Sequence, residues 1–184
     1  MKKKNILMLT GSPRKNGNSD QMAAAFKKGA EQAGHHVTLF RSADHQIDGC
    51  VACEGCWSKG KPCVFTDDFD LLYPFMEEAD VIVYATPLYW FSFPVQLKSA
   101  IDKMYAYAGK RSPQPLKIKE CVLMVVGGDD DPVIFEGIIG SYHGIANYMS
   151  WNDRGILAYP GVHAMDDIHQ TDALEKAQQL GETL

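Results

Sequence analysis

Short apolar runs alternate with amphipathic stretches along the whole chain, and this alternation predicts strands that are each followed by a helix. Five runs have a strand's length and are almost wholly apolar, as is typical of parallel strands covered on both faces. They are Ile6–Leu9, Val37–Phe40, Val81–Ala85, Cys121–Val126 and Ile156–Tyr159.

The stretches that follow these runs carry apolar residues at helical spacing. Gly34 marks the end of the first helix, and Thr66 or Asp67 is the expected N-cap of the second. Five strand–helix pairs predict an α/β fold, with a doubly wound five-stranded parallel sheet of order 2-1-3-4-5 and helices on both faces. The five helical faces are marked by Met22, Phe26, Gly29, Ala30 and Ala33; Phe69, Leu72, Tyr73 and Met76; Leu97, Ile101, Met104, Tyr105 and Ala108; Phe135, Ile138, Ile139, Tyr142, Ala146 and Met149; and Leu174, Ala177 and Leu184.

In such a sheet the ligand binds at the carboxyl ends of the strands, where the winding reverses. That rule selects the segments after the first and third strands, with the segment after the fourth strand nearby. We therefore expect these three segments to carry the chemistry.

Composition and charge narrow the class of partner. The 184 residues include 18 Lys and Arg and 23 Asp and Glu, and the net charge of −5 argues against a nucleic acid or an anionic membrane as partner. No apolar run approaches the ~20 residues of a membrane helix. The apolar run Ile6–Leu9 is shorter than the ~7–15 residues of a signal-peptide core, although lysines precede it. We expect a cytoplasmic protein.

The segment after the first strand, Thr10–Ser19, has the composition of a phosphate-binding loop. Two glycines, small hydroxyl residues and an arginine stand directly before a predicted helix, whose N-terminus offers free N–H groups and a positive dipole. Ser12, Asn18 and Ser19 can add hydrogen bonds and Arg14 a charge-assisted one. The spacing matches neither a Walker loop nor a G-x-G-x-x-G loop. An ordinary turn with a helix cap is the alternative.

The segment after the third strand, Thr86–Pro94, places large aromatic residues at the sheet edge, where solvent is expected. A planar, mostly apolar ring system would explain them, because aromatic side chains stack on such rings. Packing of Tyr89, Trp90 and Phe91 against the next helix or a second subunit is the alternative. After the fourth strand, Gly127-Gly128 allows the backbone to approach a ligand closely.

Four of the five cysteines lie close together, in the pattern Cys50-x2-Cys53-x2-Cys56-x6-Cys63. Two-residue gaps let successive thiolates converge, and three cysteines in such a series suit a cubane iron–sulfur cluster, whereas zinc sites more often use two separated pairs. Four free thiols are the alternative. Cys121 opens a predicted buried strand and is expected in the core.

Together the loops GSPRKNGNS and TPLYWFSFP, the following QLKSAIDK and the Gly-Gly pair resemble the NADPH-dependent FMN reductase family of the flavodoxin superfamily. The resemblance implies that residues 1–184 form a single flavodoxin-like FMN-binding domain with a cysteine-rich loop at 49–66. It also implies that the first loop holds the FMN phosphate and that the other two flank the isoalloxazine. Carried onto this sequence, the phosphate residues are Ser12, Arg14, Asn18 and Ser19, and the ring residues are Pro87, Leu88, Tyr89, Trp90 and Gly127.

The function that this resemblance implies is oxidation of NAD(P)H through bound FMN, with electrons passed to a small-molecule or protein acceptor. No catalytic triad is expected, because the flavin carries the chemistry. The cysteine spacing resembles that of the iron–sulfur flavoprotein branch, in which four cysteines hold a [4Fe–4S] cluster that exchanges electrons with FMN. An electron carrier of that kind is the second hypothesis, and a zinc-stabilised binding module without flavin is the third. A homodimer or higher homo-oligomer is expected, as is common for related folds.

Overall fold

The computed structural model describes residues 2–109, 112 and 115–184. Its centre is one parallel sheet with the strand order β2-β1-β3-β4-β5, which confirms the predicted order. The register pairs Ile6 with Val37 on one side and with Val81 on the other. The strands are β1 Asn5–Thr10, β2 His36–Arg41, β3 Val81–Pro87, β4 Glu120–Val126 and β5 Asn152–Tyr159.

Helices cover both faces of the sheet and define two apolar cores. Successive residues of a strand point to opposite faces, so Ile6 and Met8 join the core under α1 and α6, whereas Leu7 and Leu9 join the core under α3, α4 and α5. The helices are α1 Asn18–Gln32, α2 Gly55–Ser58, α3 Phe69–Glu78, α4 Val95–Lys103, α5 Glu136–Met149 and α6 Ala173–Glu182.

Two glycines let α1 and α6 pack at close range. A Cβ added at Gly29 would lie 2.0 Å from the Gln178 carbonyl oxygen, and one added at Gly181 would lie 2.3 Å from that of Phe26. Any larger residue would push the helices apart. This contact fixes the C-terminal part of the chain against the N-terminal helix, next to the first loop.

The predicted elements are present, with local differences. The N-cap of α3 is Asp68 rather than Thr66 or Asp67, although the Asp67 carboxylate accepts from the Phe69 N–H, and α6 ends at Glu182, before Leu184. The cysteine-rich loop contains the four-residue helix α2, which is too short to leave a helical pattern in the sequence. The third predicted helix changes at Met104 into a 3₁₀ turn over Met104–Tyr107. Among the residues that the model describes, no helix is long and apolar enough to cross a membrane.

Candidate functional site

The loop after β1 leads directly into the N-terminus of α1. Ser12 is 4% exposed, and its hydroxyl accepts a hydrogen bond from the Arg14 N–H and donates one to the Arg14 carbonyl, both at 3.1 Å. The first helical hydrogen bond runs from the Gln21 N–H to the Gly17 carbonyl at 3.0 Å. Within the described part of the chain no side chain caps this helix, so its first N–H groups remain available to an anion.

A cavity of about 230 Å³ opens beside this helix terminus. One end is polar and comprises the predicted phosphate residues, and the other end is formed by the segments after β3, β4 and β5. The lining residues are Ser12, Arg14, Gly17, Asn18 and Ser19 at the first end, and Pro87, Leu88, Tyr89, Val126, Gly127, Gly128, Val162, His163 and Met165 at the second.

The segment after β3 is held in a tight turn at the mouth of this cavity. The Tyr89 and Ser92 backbones exchange two hydrogen bonds of 3.1 Å, and both residues between them have positive φ, 48° at Trp90 and 63° at Phe91. Such turns favour Asn-Gly, since bulky residues are strained there. The turn points Trp90 into solvent at 91% exposure. Pro87, Leu88 and Tyr89 line the cavity, and Trp90 lies outside its lining.

The segment after β4 approaches the cavity through glycine. A Cβ added at Gly127 would lie 2.7 Å from the Ile134 side chain and 3.0 Å from that of Phe135. The backbone of Gly127 also donates to the Tyr159 carbonyl at 2.9 Å and accepts from the Val162 N–H at 2.8 Å. Gly127 is therefore fixed by packing on one side and by β5 on the other.

The segment after β5 supplies a wall that the sequence analysis did not identify. The Asn18 side chain donates to the Ala164 carbonyl at 2.7 Å and accepts from the Ile168 N–H at 3.5 Å. Asp167 accepts from the N–H groups of His163 at 3.0 Å and Ala164 at 2.6 Å. Asn18 thus braces this wall with its side chain. The position of β5 beside β4 in the predicted sheet order was the signal that could have pointed to it.

The four clustered cysteines line a second cavity, of about 280 Å³. Cys50 and Cys53 are exposed, Cys56 and Cys63 are half-buried, and all four are free thiols. The rest of the wall includes the apolar side chains of Val64, Phe65 and Tyr105 and the ammonium-bearing Lys103. All four cysteines thus line one cavity, and none of the residues lining it lines the first cavity.

The thiols influence one another electrostatically. Burial raises the pKa of the Cys56 thiol, the backbone N–H groups of residues 56 and 57 oppose that effect, and the nearby Cys50 and Cys53 raise the pKa further. Within the described ranges, no three His, Cys, Asp or Glu side chains are grouped to hold a metal ion. A [4Fe–4S] cluster takes four cysteine ligands, one at each corner of its core, and four cysteines line this one cavity.

An ion pair stands behind the cysteine cavity. The Lys103 ammonium contacts the Asp67 carboxylate, and both side chains are buried. Asp67 also accepts hydrogen bonds from the N–H groups of Asp48 at 3.0 Å and Phe69 at 2.9 Å. Burial would raise the pKa of the Asp67 carboxyl, but the hydrogen bonds from Lys103 and the backbone outweigh it and hold that pKa below its usual value. Asp48 and Asp67 stand at the two ends of the cysteine loop, so the pair fastens both ends of that loop to α4.

Cys121 lies in the core, as expected, at the opposite end of β4. Its thiol accepts a hydrogen bond from the Tyr142 hydroxyl at 3.2 Å, and that hydroxyl also lies 2.7 Å from the Asp153 carboxylate. Burial raises the pKa of the Cys121 thiol. The fifth cysteine thus stays a neutral core residue, separate from the other four.

Comparison with known proteins identifies the family and the fold of this chain. The model of the NADPH-dependent FMN reductase family matches residues 4–133. An iron–sulfur flavoprotein of Archaeoglobus fulgidus is 32% identical over 178 residues, 94% of this chain and 75% of that protein. Another, of Methanosarcina thermophila, is 32% identical over 123 residues, 67% of this chain and 63% of that protein.

Solved structures share the fold at lower identity. An NAD(P)H:quinone oxidoreductase from Methanothermobacter marburgensis superposes with a TM-score of 0.74 at 18% identity, covering 99% of this chain and 97% of that one. An azoreductase from Bacillus anthracis gives 0.75 at 17% identity, covering 98% and 100%. The chain therefore belongs to the NADPH-dependent FMN reductase family and is an NAD(P)H-dependent flavin oxidoreductase with a flavodoxin-like fold.

Proposed function

We propose that the cavity between the loops after β1, β3, β4 and β5 binds FMN and that electrons from NAD(P)H leave this site to a planar acceptor such as a quinone or free flavin. The observation that carries the proposal is the two-ended lining. One end combines a helix N-terminus, Ser12, Ser19 and Arg14, which suits a phosphate dianion. The other end combines apolar side chains with glycine backbone, which suits a flat ring with a polar edge.

When bound, FMN would supply the two-electron chemistry, and this chain's residues would supply binding and shielding. Leu88, Tyr89 and Met165 would exclude water from the ring site, because they form the apolar end of the cavity. The buried Ser12 would keep the loop after β1 in its turn. Asn18 would hold the wall after β5 in place through its contact with Ala164.

Support for a planar acceptor comes from the cavity mouth. Tyr89 and Met165 line the cavity and remain exposed, and the turn beside them holds Trp90 in solvent. An exposed apolar rim of this kind suits a flat, apolar molecule arriving over the ring. Steady-state oxidation of NAD(P)H with a quinone, free flavin or no acceptor tests the assignment. Turnover that needs a reduced or oxidised partner protein would count against it.

We expect Arg14→Ala to weaken FMN binding about tenfold. A hydrogen bond to a charged group contributes about 1.5–3 kcal/mol, solvent screens an exposed cation towards the lower figure, and ~1.4 kcal/mol is a factor of ten. Titration of the apoprotein with FMN, followed by flavin fluorescence, gives Kd. Lys15→Ala is the control, because Lys15 is the neighbouring exposed cation and does not line the cavity. Equal Kd values for the two variants would remove Arg14 from the phosphate site.

We further propose that Cys50, Cys53, Cys56 and Cys63 hold a [4Fe–4S] cluster that exchanges electrons with the flavin. The four cysteines line one cavity, and the two-residue gaps between the first three suit a cubane. Two relatives at 32% identity bear the name iron–sulfur flavoprotein. The apolar Val64 and Phe65 in the same wall would limit access of water to the cluster.

We expect Cys56→Ser to lose most of the iron and sulfide after anaerobic reconstitution, because it removes a thiolate ligand from the half-buried side of the cavity. FMN retention should stay unchanged, since Cys56 is absent from the lining of the first cavity. Chemical iron and sulfide analysis per chain measures the loss. Cys121→Ala, which removes the buried core thiol, should keep the iron of the parent protein. Full iron content in Cys56→Ser would refute the assignment.

We also propose that the chain forms a homodimer through the groove between the end of α4 and α5. This groove, of about 450 Å³, is lined mainly by apolar side chains, which include Ile101, Met104 and Tyr148. A Cβ added at Gly140 or Gly144 would meet no described atom within 4 Å, so a partner helix could approach the α5 backbone closely. Light scattering on the purified protein should give a mass at least twice that of one chain. A mass of one chain at micromolar concentration would contradict this.

A further inference from the structure

Lys103 is a buried cation that faces the cysteine cavity. It is the last residue of α4, it is 5% exposed, and it lines the cavity beside Tyr105 and Ala106. A buried lysine needs compensation, because desolvation of an ammonium is costly. Of the described residues that line this cavity, Lys103 alone carries a positive charge.

The compensating anion stands on the far side of the ammonium. Asp67 contacts Lys103 but is absent from the cavity lining, and its carboxylate turns towards the N–H groups of Asp48 and Phe69. The ammonium also lies 5.4 Å from the centroid of the Phe69 ring. The ion pair therefore has its cationic member in the wall of the cysteine cavity and its anionic member outside that wall, at the loop backbone.

Two acidic residues also line the cavity, namely Asp48 and Glu54, and both are exposed. Water and salt screen exposed charges much more than buried ones. The ammonium of Lys103 is therefore the least screened of the three charged side chains, Asp48, Glu54 and Lys103, that line this cavity.

We propose that Lys103 raises the reduction potential of the metal cluster held by Cys50, Cys53, Cys56 and Cys63, an inference that rests on the cluster proposed above. One-electron reduction adds one negative charge to a site already made anionic by four thiolates, and the electron comes from the flavin or an added reductant. A nearby buried cation stabilises the more negative, reduced form more than the oxidised one. With Asp67 behind it, Lys103 acts on the cluster as the near end of a dipole.

The test uses two substitutions with opposite expected signs. The protein is reconstituted anaerobically with FMN bound. Lys103→Gln should lower the equilibrium constant for cluster reduction at least tenfold, which is a fall of about 59 mV in the one-electron reduction potential. Asp67→Asn should raise it, because the ammonium loses its compensating anion. The single amide oxygen can still accept from Lys103 and the Asp48 N–H, which share one carboxylate oxygen of Asp67. Redox titration followed by electron paramagnetic resonance of the reduced cluster measures both. Lys98→Gln, at an exposed ion pair on the same helix, is the control and should leave the potential unchanged.

The outcomes separate this inference from the cluster itself. Lys103→Gln leaves a buried carboxylate unpaired. If that variant does not fold, the reduction potentials of Asp67→Asn and of the double variant Lys103→Gln/Asp67→Asn decide. The potential of the double variant should lie between those of Asp67→Asn and the parent. Equal potentials in cluster-loaded parent and variants, or shifts of one sign in both single variants, would overturn the role of Lys103. A parent protein that incorporates no iron or sulfide would overturn the cluster and this inference with it.

Discussion

Ser12→Asp is expected to abolish FMN retention, with a rise in Kd of at least ~100-fold. Ser12 is buried at the polar end of the first cavity, beside the N-terminus of α1. A carboxylate there would occupy the helix N–H groups in place of the phosphate and would repel it. Like-charge juxtaposition costs several kcal/mol in a binding site, and each ~1.4 kcal/mol is a factor of ten. Flavin fluorescence titration of the apoprotein measures the loss.

Ser12→Asn is the matched control, because asparagine has nearly the shape of aspartate without its charge. It should weaken binding much less than Ser12→Asp, with a similar thermal unfolding temperature in both. Indistinguishable Kd values for the aspartate and asparagine variants would show that charge at this position is irrelevant. The phosphate would then have to lie elsewhere in the cavity.

Asp67→Ala is expected to lower the free energy of unfolding by about 3–5 kcal/mol, the usual cost of removing one partner of a buried ion pair. The substitution leaves the Lys103 ammonium buried without its anion and removes the acceptor for the Asp48 and Phe69 N–H groups. Urea unfolding followed by circular dichroism measures the change. The cysteine loop should also become more sensitive to proteolysis, since Asp67 ties it to α4.

Asp102→Ala is the control for this change, because Asp102 forms an exposed ion pair with Lys98 on the same helix. It should change stability by no more than about 0.5 kcal/mol. A loss of the same size in both variants would contradict the assignment of a special role to the buried pair.

The Asp67 carboxylate should also account for part of the stability that the protein loses at acidic pH. The pKa of Asp67 is lower in the folded state than its usual value, so the stability it contributes is complete above the unfolded pKa of about 3.9. That stability is lost as the pH falls through the lower folded value. Asp67→Ala should therefore flatten the dependence of unfolding free energy on pH below about pH 4, whereas Asp102→Ala should retain it.

The sheet, and the presence of a cavity at the carboxyl ends of its strands, could be predicted from the sequence because they depend on local patterns. Apolar runs such as Val81–Ala85 have a strand's length and no polar face, which only a sheet covered on both sides accommodates. The small and glycine residues between Thr10 and Ser19 mark a helix terminus open to anions. Each of these signals consists of residues that lie close together in the chain.

The rest of the site depends on contacts between distant residues. The wall around Val162 and His163 is held by Asn18, about 145 residues earlier by the numbering. Lys103 has the pattern of an ordinary charged residue at a helix C-terminus, and only the fold places Asp67 against it. The outward direction of Trp90 follows from two positive φ angles that no simple residue preference indicates for aromatic side chains.

The central claim is that the cavity joining the loops after β1, β3, β4 and β5 binds FMN. The most direct measurement is the ultraviolet–visible absorbance spectrum of protein purified without oxygen, recorded before and after addition of FMN and removal of the unbound excess. The account predicts flavin absorption bands that remain with the parent protein and are lost in Ser12→Asp. A colourless parent protein that takes up no added FMN would contradict it.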